Sequence, residues 1–327
     1  MTIAIERPGP SSGPGRELPA LDRVAAVRAI GDTPLLPVDA FARASGLPDS
    51  IRILLKTEWV NPGGSIKDRT ALSIIRHALA DGLLGNGQAL IDSTSGNTGI
   101  AYALLGAALD IPVHLVVPES ASRERKRTLA AYGAQVTYSD PYEGSDGAIR
   151  LVRTLTGERP DGFFYANQYG NPANVAAHRS TTGPEIWRQT GGELTHLVAA
   201  LGTTGTLMGA GGFLRDAGGV TIVGVQPDEE FHGIEGLKHL PSAIVPDIFD
   251  PSGADRMLGI RTEAAFDAAR LLARTEGLFA GSSTGANLAA CALLGHELAA
   301  RGERAVIVAI GCDGGNRYLS TGLWDIA

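Results

Sequence analysis

A local rhythm constrains this chain more than any other feature: a short apolar run, a Gly-rich turn, then an Ala/Leu-rich amphipathic stretch. Apolar runs fall at 52–56, 89–92, 113–117, 135–139, 163–166, 196–201, 221–226 and 305–310. Helix-like stretches fall at 98–109, 122–132, 206–216, 262–276 and 286–298. Strands separated by helices cannot be joined as hairpins. They need crossovers, which predict parallel, doubly wound α/β sheets. Such sheets gather their ligands in the loops beyond the strand C-terminal ends, so the Gly-rich turns are where chemistry is expected. With 327 residues, 44% of them hydrophobic, there is material for one large core or two medium ones.

The net charge of -7 and pI of about 5.5 argue against nucleic acid as a partner, because an acidic surface repels a phosphate backbone. An anionic small molecule would need a local positive site. Cys291 and Cys312 have no paired spacing, so neither a disulfide framework nor a zinc ribbon is expected, and a reducing cytoplasm is the natural compartment. No signal pattern or membrane-length apolar run is read. Residues 1–19, rich in Pro, Gly and Ser, read as a disordered arm.

Four loops carry candidate chemistry. In Asn61-Pro62-Gly63-Gly64-Ser65-Ile66-Lys67-Asp68-Arg69, the Ser65/Asp68 spacing predicts a capping pair with Lys67 in the first helical turn. The positive end of the macrodipole and burial would both lower its ammonium pKa, as an amine nucleophile or base requires. On this loop alone, a surface lysine beside a capped helix is the preferred reading. Thr94-Ser95-Gly96-Asn97-Thr98-Gly99 follows a strand and opens a helix. Its glycines, hydroxyls and amide exceed what capping needs, which favours a bound carboxylate or phosphate.

Gly202-Thr203-Thr204-Gly205-Thr206 reads as a phosphate cup without lysine or metal, suited to a phosphate monoester. A dinucleotide reading, with Asp228 as ribose acid, lacks the G-x-G-x-x-G spacing and is the weaker rival. Gly281-Ser282-Ser283-Thr284-Gly285 fits either a helix N-cap or a hydroxyl facing a cofactor ring. His232 and His239 do not form a metal set, and no metal is expected. The basic run at 123–127 reads as a solvated helix face. Trp59, Trp187 and Trp324 read as core or interface.

Taken in order, these loops resemble the cysteine synthase and cystathionine β-synthase family of fold-type II pyridoxal 5'-phosphate (PLP) enzymes. The resemblance runs from Ile30-Gly31-Asp32-Thr33-Pro34-Leu35 to Arg317-Tyr318-Leu319-Ser320-Thr321. It includes Asn167-Gln168-Tyr169-Gly170-Asn171-Pro172-Ala173-Asn174 and Thr181-Thr182-Gly183-Pro184-Glu185-Ile186-Trp187. It implies two doubly wound three-layer α/β domains of the tryptophan synthase β type. The smaller, mobile one spans 66–162; the larger combines 20–65 with 163–327.

By resemblance, Lys67 is the catalytic Schiff-base lysine and Asn97 bonds the cofactor's phenolic oxygen. Gly202, Thr203, Thr204, Gly205 and Thr206 hold its phosphate, and Ser283 faces the pyridine nitrogen. Thr94, Ser95, Gly96, Thr98 and Gln168 grip the substrate carboxylate. The implied chemistry is β-replacement on an activated L-serine through an aminoacrylate. A neutral serine at the pyridine nitrogen leaves the ring a weaker electron sink and makes expulsion of the β-substituent the favoured outlet.

The donor is less legible. Lys238, in His232-Gly233-Ile234-Glu235-Gly236-Leu237-Lys238-His239-Leu240, falls where the O-phosphoserine-using branch carries an arginine. A cation there could stabilise departing phosphate. The lean is to O-phospho-L-serine over O-acetyl-L-serine, against a solvated loop lysine as the plainer reading. The nucleophile stays open: sulfide, thiosulfate or a protein thiocarboxylate would give cysteine, an amine a 2,3-diaminopropionate-type product, and homocysteine cystathionine. A homodimer is implied, with a serine acetyltransferase or a sulfur-carrier protein as a conceivable partner. Gly311-Cys312-Asp313-Gly314-Gly315-Asn316 departs from the family's Pro-Asp-Ser-Gly-Glu; Cys312 reads as a small buried residue at a strand end rather than a redox thiol. A non-catalytic relative is the remaining rival, and retention of Lys67 with both anion loops argues against it.

Overall fold

A computed structural model describes residues 21–85, 87–94 and 96–325. The arm expected at 1–19 and the candidate residue Ser95 lie outside them. Each apolar run became a strand. Among the described residues the ten strands are β1 (Leu35–Pro37), β2 (Ile51–Thr57), β3 (Ala89–Ser93), β4 (Val113–Pro118), β5 (Gln135–Ser139), β6 (Phe163–Tyr165), β7 (His196–Ala200), β8 (Thr221–Pro227), β9 (Arg256–Ile260) and β10 (Ala305–Gly311). The helices are α1 (Ala25–Arg28), α2 (Asp39–Ala44), α3 (Lys67–Ala80), α4 (Asn97–Leu109), α5 (Arg123–Tyr132), α6 (Gly144–Glu158), α7 (Pro172–Ala177), α8 (Gly183–Gln189), α9 (Gly212–Gly218), α10 (Thr262–Glu276) and α11 (Ser282–Ala300).

Two sheets result. One has the order β1-β2-β10-β7-β8-β9 and the other β5-β4-β3-β6. Every pairing is parallel except β1 with β2. Side chains alternate between faces along each strand. Ile53, Leu55, Ile307 and Ala309 therefore pack toward α2, α10 and α11, while Leu54, Val308 and Ile310 pack toward α8 and α9. In the smaller sheet, Leu90 and Leu115 join α3, α4 and α5, and Ile91 and Val116 join α6.

Two expectations need correction. β6 was expected to open the larger unit, but Phe163–Tyr165 pairs with β3 and completes the smaller sheet. β9 was not anticipated, because Arg256–Ile260 is a half-exposed edge strand with a broken apolar pattern. Among the described residues no helix is long and apolar enough to cross a membrane.

α4 explains how this topology positions the loop that leads into it. Its residues from Thr98 to Gly106 are all buried, so over that stretch it has no solvent face, and only Ala107 and Ala108 near its C-terminus are exposed. A helix apolar all round must be enclosed, and this fixes its N-terminus relative to β3. Leu105→Ala is expected to destabilise the protein by about 2–5 kcal/mol through the cavity it leaves, read as a lower midpoint in urea.

Candidate active site

Five loops meet because parallel strands present all their C-terminal ends on one side. From the larger sheet, β2 leads into the lysine loop, β7 into Gly202–Thr206, and β10 into Cys312 and Asp313. From the smaller, β3 leads into Thr94–Gly99 and β6 into Gln168. They enclose a cavity of about 620 Å³. Lys67, Thr94, Gly96, Asn97, Thr98, Gln168, Gly202, Thr203, Thr206, Lys238 and Ser283 all line it. Thr204 and Gly205 are the described candidates that do not; they form the buried back of the cup.

Lys67 opens α3. Burial lowers its pKa, against weaker opposing pulls from Cys312, Asp313 and Glu58. The expected capping pair takes a different form. Ser65 Oγ accepts from the Lys67 N–H at 3.2 Å, while Asp68 Oδ2 accepts from the Gly63 N–H at 2.5 Å. The acid thus closes the Gly-Gly turn instead of reaching Ser65. Burial raises the Asp68 carboxyl to about 7.

Behind the lysine loop lies a buried charge cluster that the sequence reading did not identify. Arg69 bonds Glu58 through Nε at 2.7 Å and Nη2 at 2.9 Å, and Glu185 through Nη1 at 2.6 Å and Nη2 at 2.7 Å. Lys56 Nζ donates to Glu185 at 2.7 Å, to the Thr33 carbonyl at 2.7 Å and to Gln189 at 2.8 Å. Two cations and two carboxylates cancel, and nearly every polar atom has a partner, which is what a dry ionic cluster needs. Burial alone would raise the Glu185 carboxyl. Hydrogen bonds and charge from Arg69 and Lys56 outweigh it and hold the pKa down at about 2. The available signal was Glu185 itself, inside the recognised Thr-Gly-Pro-Glu run.

The loop that opens α4 is braced by its own side chains. Thr94 Oγ1 accepts from the N–H groups of Gly96 and Gly99, each at 3.1 Å. Thr98 Oγ1 donates to Gln168 Oε1 at 2.6 Å, and Gln168 Nε2 donates to the Ser93 carbonyl at 2.7 Å. Asn97 Nδ2 donates to Asp313 Oδ2 at 2.7 Å, and its carbonyl accepts from Arg317. Its amide is therefore partly committed to the C-terminal segment, a tie that spacing alone could not show.

The cup fits a phosphate. Thr204 takes a left-handed backbone at φ 68°, and its buried hydroxyl has no hydrogen-bond partner. A Cβ at Gly202 would lie 2.5 Å from the Gly236 carbonyl, and one at Gly205 would overlap Asn174 Oδ1. Both glycines are thus dictated by packing. Asn174 also donates to Thr203 Oγ1 at 3.0 Å, and His178, kept neutral by burial, faces Thr206 Oγ1 at 3.3 Å. Ser283 sits in the first turn of α11 but caps nothing there. Its hydroxyl meets the Cys312 thiol, which burial pushes up to about 11. Cys312 is thus a protonated thiol at a strand end that also lines the cavity.

Two plainer readings fail. Lys238 is only 5% exposed, sits over the Tyr169 ring at 5.1 Å and donates to Asp146 Oδ1 at 2.7 Å, so it is no solvated loop lysine. Arg125, from the basic run read as a solvated face, is 8% exposed, lines the cavity and pairs with Glu235 at 2.5 Å. The signal was present: Arg125 lies one turn before Leu129, the one apolar residue that α5 buries. Among the described residues no three or more His, Cys, Asp or Glu side chains gather in a way that could hold a metal ion. Asp228 is exposed and away from the cavity, unlike the ribose acid of the dinucleotide reading.

Replacing Glu185 by Gln leaves buried cations undercompensated, and is expected to cost about 3–5 kcal/mol at neutral pH. The native carboxyl titrates lower folded than unfolded. Its contribution is full above an unfolded pKa near 4.5 and is lost as pH falls toward about 2. The stability gap between E185Q and the native chain should therefore narrow across that window in pH-dependent urea unfolding.

Comparison with known proteins agrees with this geometry. The family model described as "Pyridoxal-phosphate dependent enzyme" matches residues 27–313. A cysteine synthase of Aquifex aeolicus is 48% identical over 299 residues, covering 91% of each chain. A cysteine synthase structure from Entamoeba histolytica superposes with a TM-score of 0.87 at 35% identity, covering 98% of this chain and 95% of that one. An O-ureido-L-serine synthase structure superposes at 0.83 and 36%, covering 92% and 94%. The family replaces the dehydrogenase alternative, and an amine, a phosphate cup and a carboxylate loop around one cavity suit its cofactor. The chain belongs to the cysteine synthase family of fold-type II enzymes that depend on pyridoxal phosphate.

Proposed function

We propose that the protein catalyses β-replacement on an O-activated L-serine, with cysteine as the product. The observation that carries this reading is the sharing of one cavity by the half-buried Lys67 amine, the start of α4 and the turn at Gly202–Thr206. Similarity to cysteine synthases supports it. When bound, the cofactor supplies the electron-withdrawing ring that makes Cα acidic and lets the β-substituent leave.

The chain's own residues do the rest. Gly202 to Thr206 would hold the cofactor phosphate with backbone N–H groups and the Thr203 and Thr206 hydroxyls, which line the cavity. One Asn97 amide hydrogen goes to Asp313, leaving the second for the phenolic oxygen. Ser283 offers the pyridine nitrogen a neutral hydroxyl. Thr94, Ser95, Gly96, Thr98 and Gln168 would receive the substrate carboxylate at the positive end of α4. Lys67 Nζ, its pKa lowered by burial, holds more free amine than an exposed lysine. It can accept the Cα proton and later return one.

For the donor we favour O-phospho-L-serine over O-acetyl-L-serine, because Lys238 is a buried cation on the cavity wall. For the nucleophile we favour sulfide. The likeness to an O-ureido-L-serine synthase keeps a nitrogen or oxygen nucleophile as the second reading. We place the protein as a homodimer in the cytoplasm, where its two free cysteines stay reduced.

Protein reconstituted with PLP should turn yellow, and borohydride followed by peptide mapping should leave the pyridoxyl mass on Lys67. Lys67→Ala should lose about 100-fold or more in turnover; a colourless protein or an active variant would overturn the reading. Gly205→Val should weaken PLP binding about tenfold or more, as the overpacked cup forfeits roughly 1–3 kcal/mol, measured by titrating the visible band.

A further inference from the structure

The outer half of the cavity carries two buried cations, and each is answered by a carboxylate from the opposite sheet's side. Arg125 of α5 meets Glu235 at 2.5 Å, and Lys238 meets Asp146 of α6 at 2.7 Å. The polarity is crossed. One cation comes from the smaller unit and one from the 232–240 segment, and so does one carboxylate each. Both cations line the cavity, and both carboxylates are more exposed than the cations they meet. Asp146 uses its second oxygen to accept from the Ile244 N–H at 3.0 Å, so it also pins that segment.

The cations flank the two anion loops. The Arg125 guanidinium would lie 3.3 Å from a Cβ at Gly96, beside the carboxylate loop. The Gly236 carbonyl lies over Gly202, and the Lys238 N–H donates to the Leu201 carbonyl at 2.8 Å, beside the cup. A group leaving a substrate seated between those loops would emerge into this pair.

We infer that Glu235 and Asp146 are specificity-determining residues: internal counter-ions that hold Arg125 and Lys238 and set how well the cavity accepts an anionic leaving group. The inference rests on the β-replacement reading above. A phosphate entering here must compete with two carboxylates already in contact, whereas an uncharged acyl group need not. Donor preference is then set by the carboxylates as much as by the cations. They act through those cations and are positioning residues.

The test uses holoenzyme carrying Glu235→Gln or Asp146→Asn, each near-isosteric and lacking the charge. Inorganic phosphate is titrated by calorimetry, and kcat/KM is measured for O-phospho-L-serine and O-acetyl-L-serine. Each variant should bind phosphate roughly three- to tenfold more tightly, and the phosphorylated-to-acetylated ratio of kcat/KM should rise by a similar factor. Adding Arg125→Gln to E235Q should erase the gain. Unchanged phosphate binding in both single variants, or a gain that survives loss of Arg125, overturns the inference. So does an equal fall for both donors, the mark of a purely structural latch. If the native enzyme turns over neither donor, the β-replacement reading fails separately, and phosphate binding still decides the role of the counter-ions.

Discussion

Everything at the site depends on Arg69. It lies two residues past Lys67 in the same helical turn, and its guanidinium is forked between Glu58 and Glu185. Glu58 follows β2, and Glu185 belongs to α8. One planar cation therefore locks the start of α3 to two other elements, with Asn61 and Thr33 adding bonds to Glu58. The bidentate geometry fixes direction as well as distance, which a lysine could not do. Lys67 is consequently aimed by a residue that never touches the cavity. A free lysine side chain loses substantial rotamer entropy when ordered. Here the backbone it hangs from is already ordered by ionic contacts.

The same division of labour shapes the rest. The larger sheet supplies the amine, the cup and the C-terminal segment; the smaller supplies the carboxylate loop. Polar contacts bridge them: Asn97 with Asp313 and Arg317, Ser320 with Glu124, Arg125 with Glu235, and Asp146 with Lys238; apolar ones do so too, since α3 and Ala173 pack into the core around α4. A polar seam is cheaper to open and reclose than an apolar one, since its groups find partners in water when apart.

The strands and the anion loops were legible because parallel α/β structure writes itself as apolar runs and glycines. β9 was not, since an edge strand with one face wet carries half the pattern. The boundary at 163 was misplaced because connectivity, not composition, decides which sheet an edge strand joins. Arg125 misled for a different reason. Charge suggests solvent on average, and only the third dimension reveals that Glu235 is waiting for it. Asp68 kept the residue type expected of a cap but served Gly63, whose N–H the Gly-Gly turn brings to 2.5 Å from its Oδ2. Sequence spacing gave the local geometry; long-range partners such as Asp313 and Glu185 lay more than 100 residues away.

The acidic net charge of this chain looks unsuited to anionic ligands. The cavity resolves this by locality. Screening limits exposed charges to about 8–10 Å of influence at physiological salt, whereas Arg125, Lys238 and Lys67 act inside a poorly solvated cleft where fields are stronger. Their carboxylate partners temper that field, so that an empty cleft does not expose bare buried cations. Attraction for an anion is thus a difference between two sets of contacts, those it makes and those it displaces. Two buried cations share that load, each paired with a carboxylate, and the charge of each partner sets the balance at its own pair.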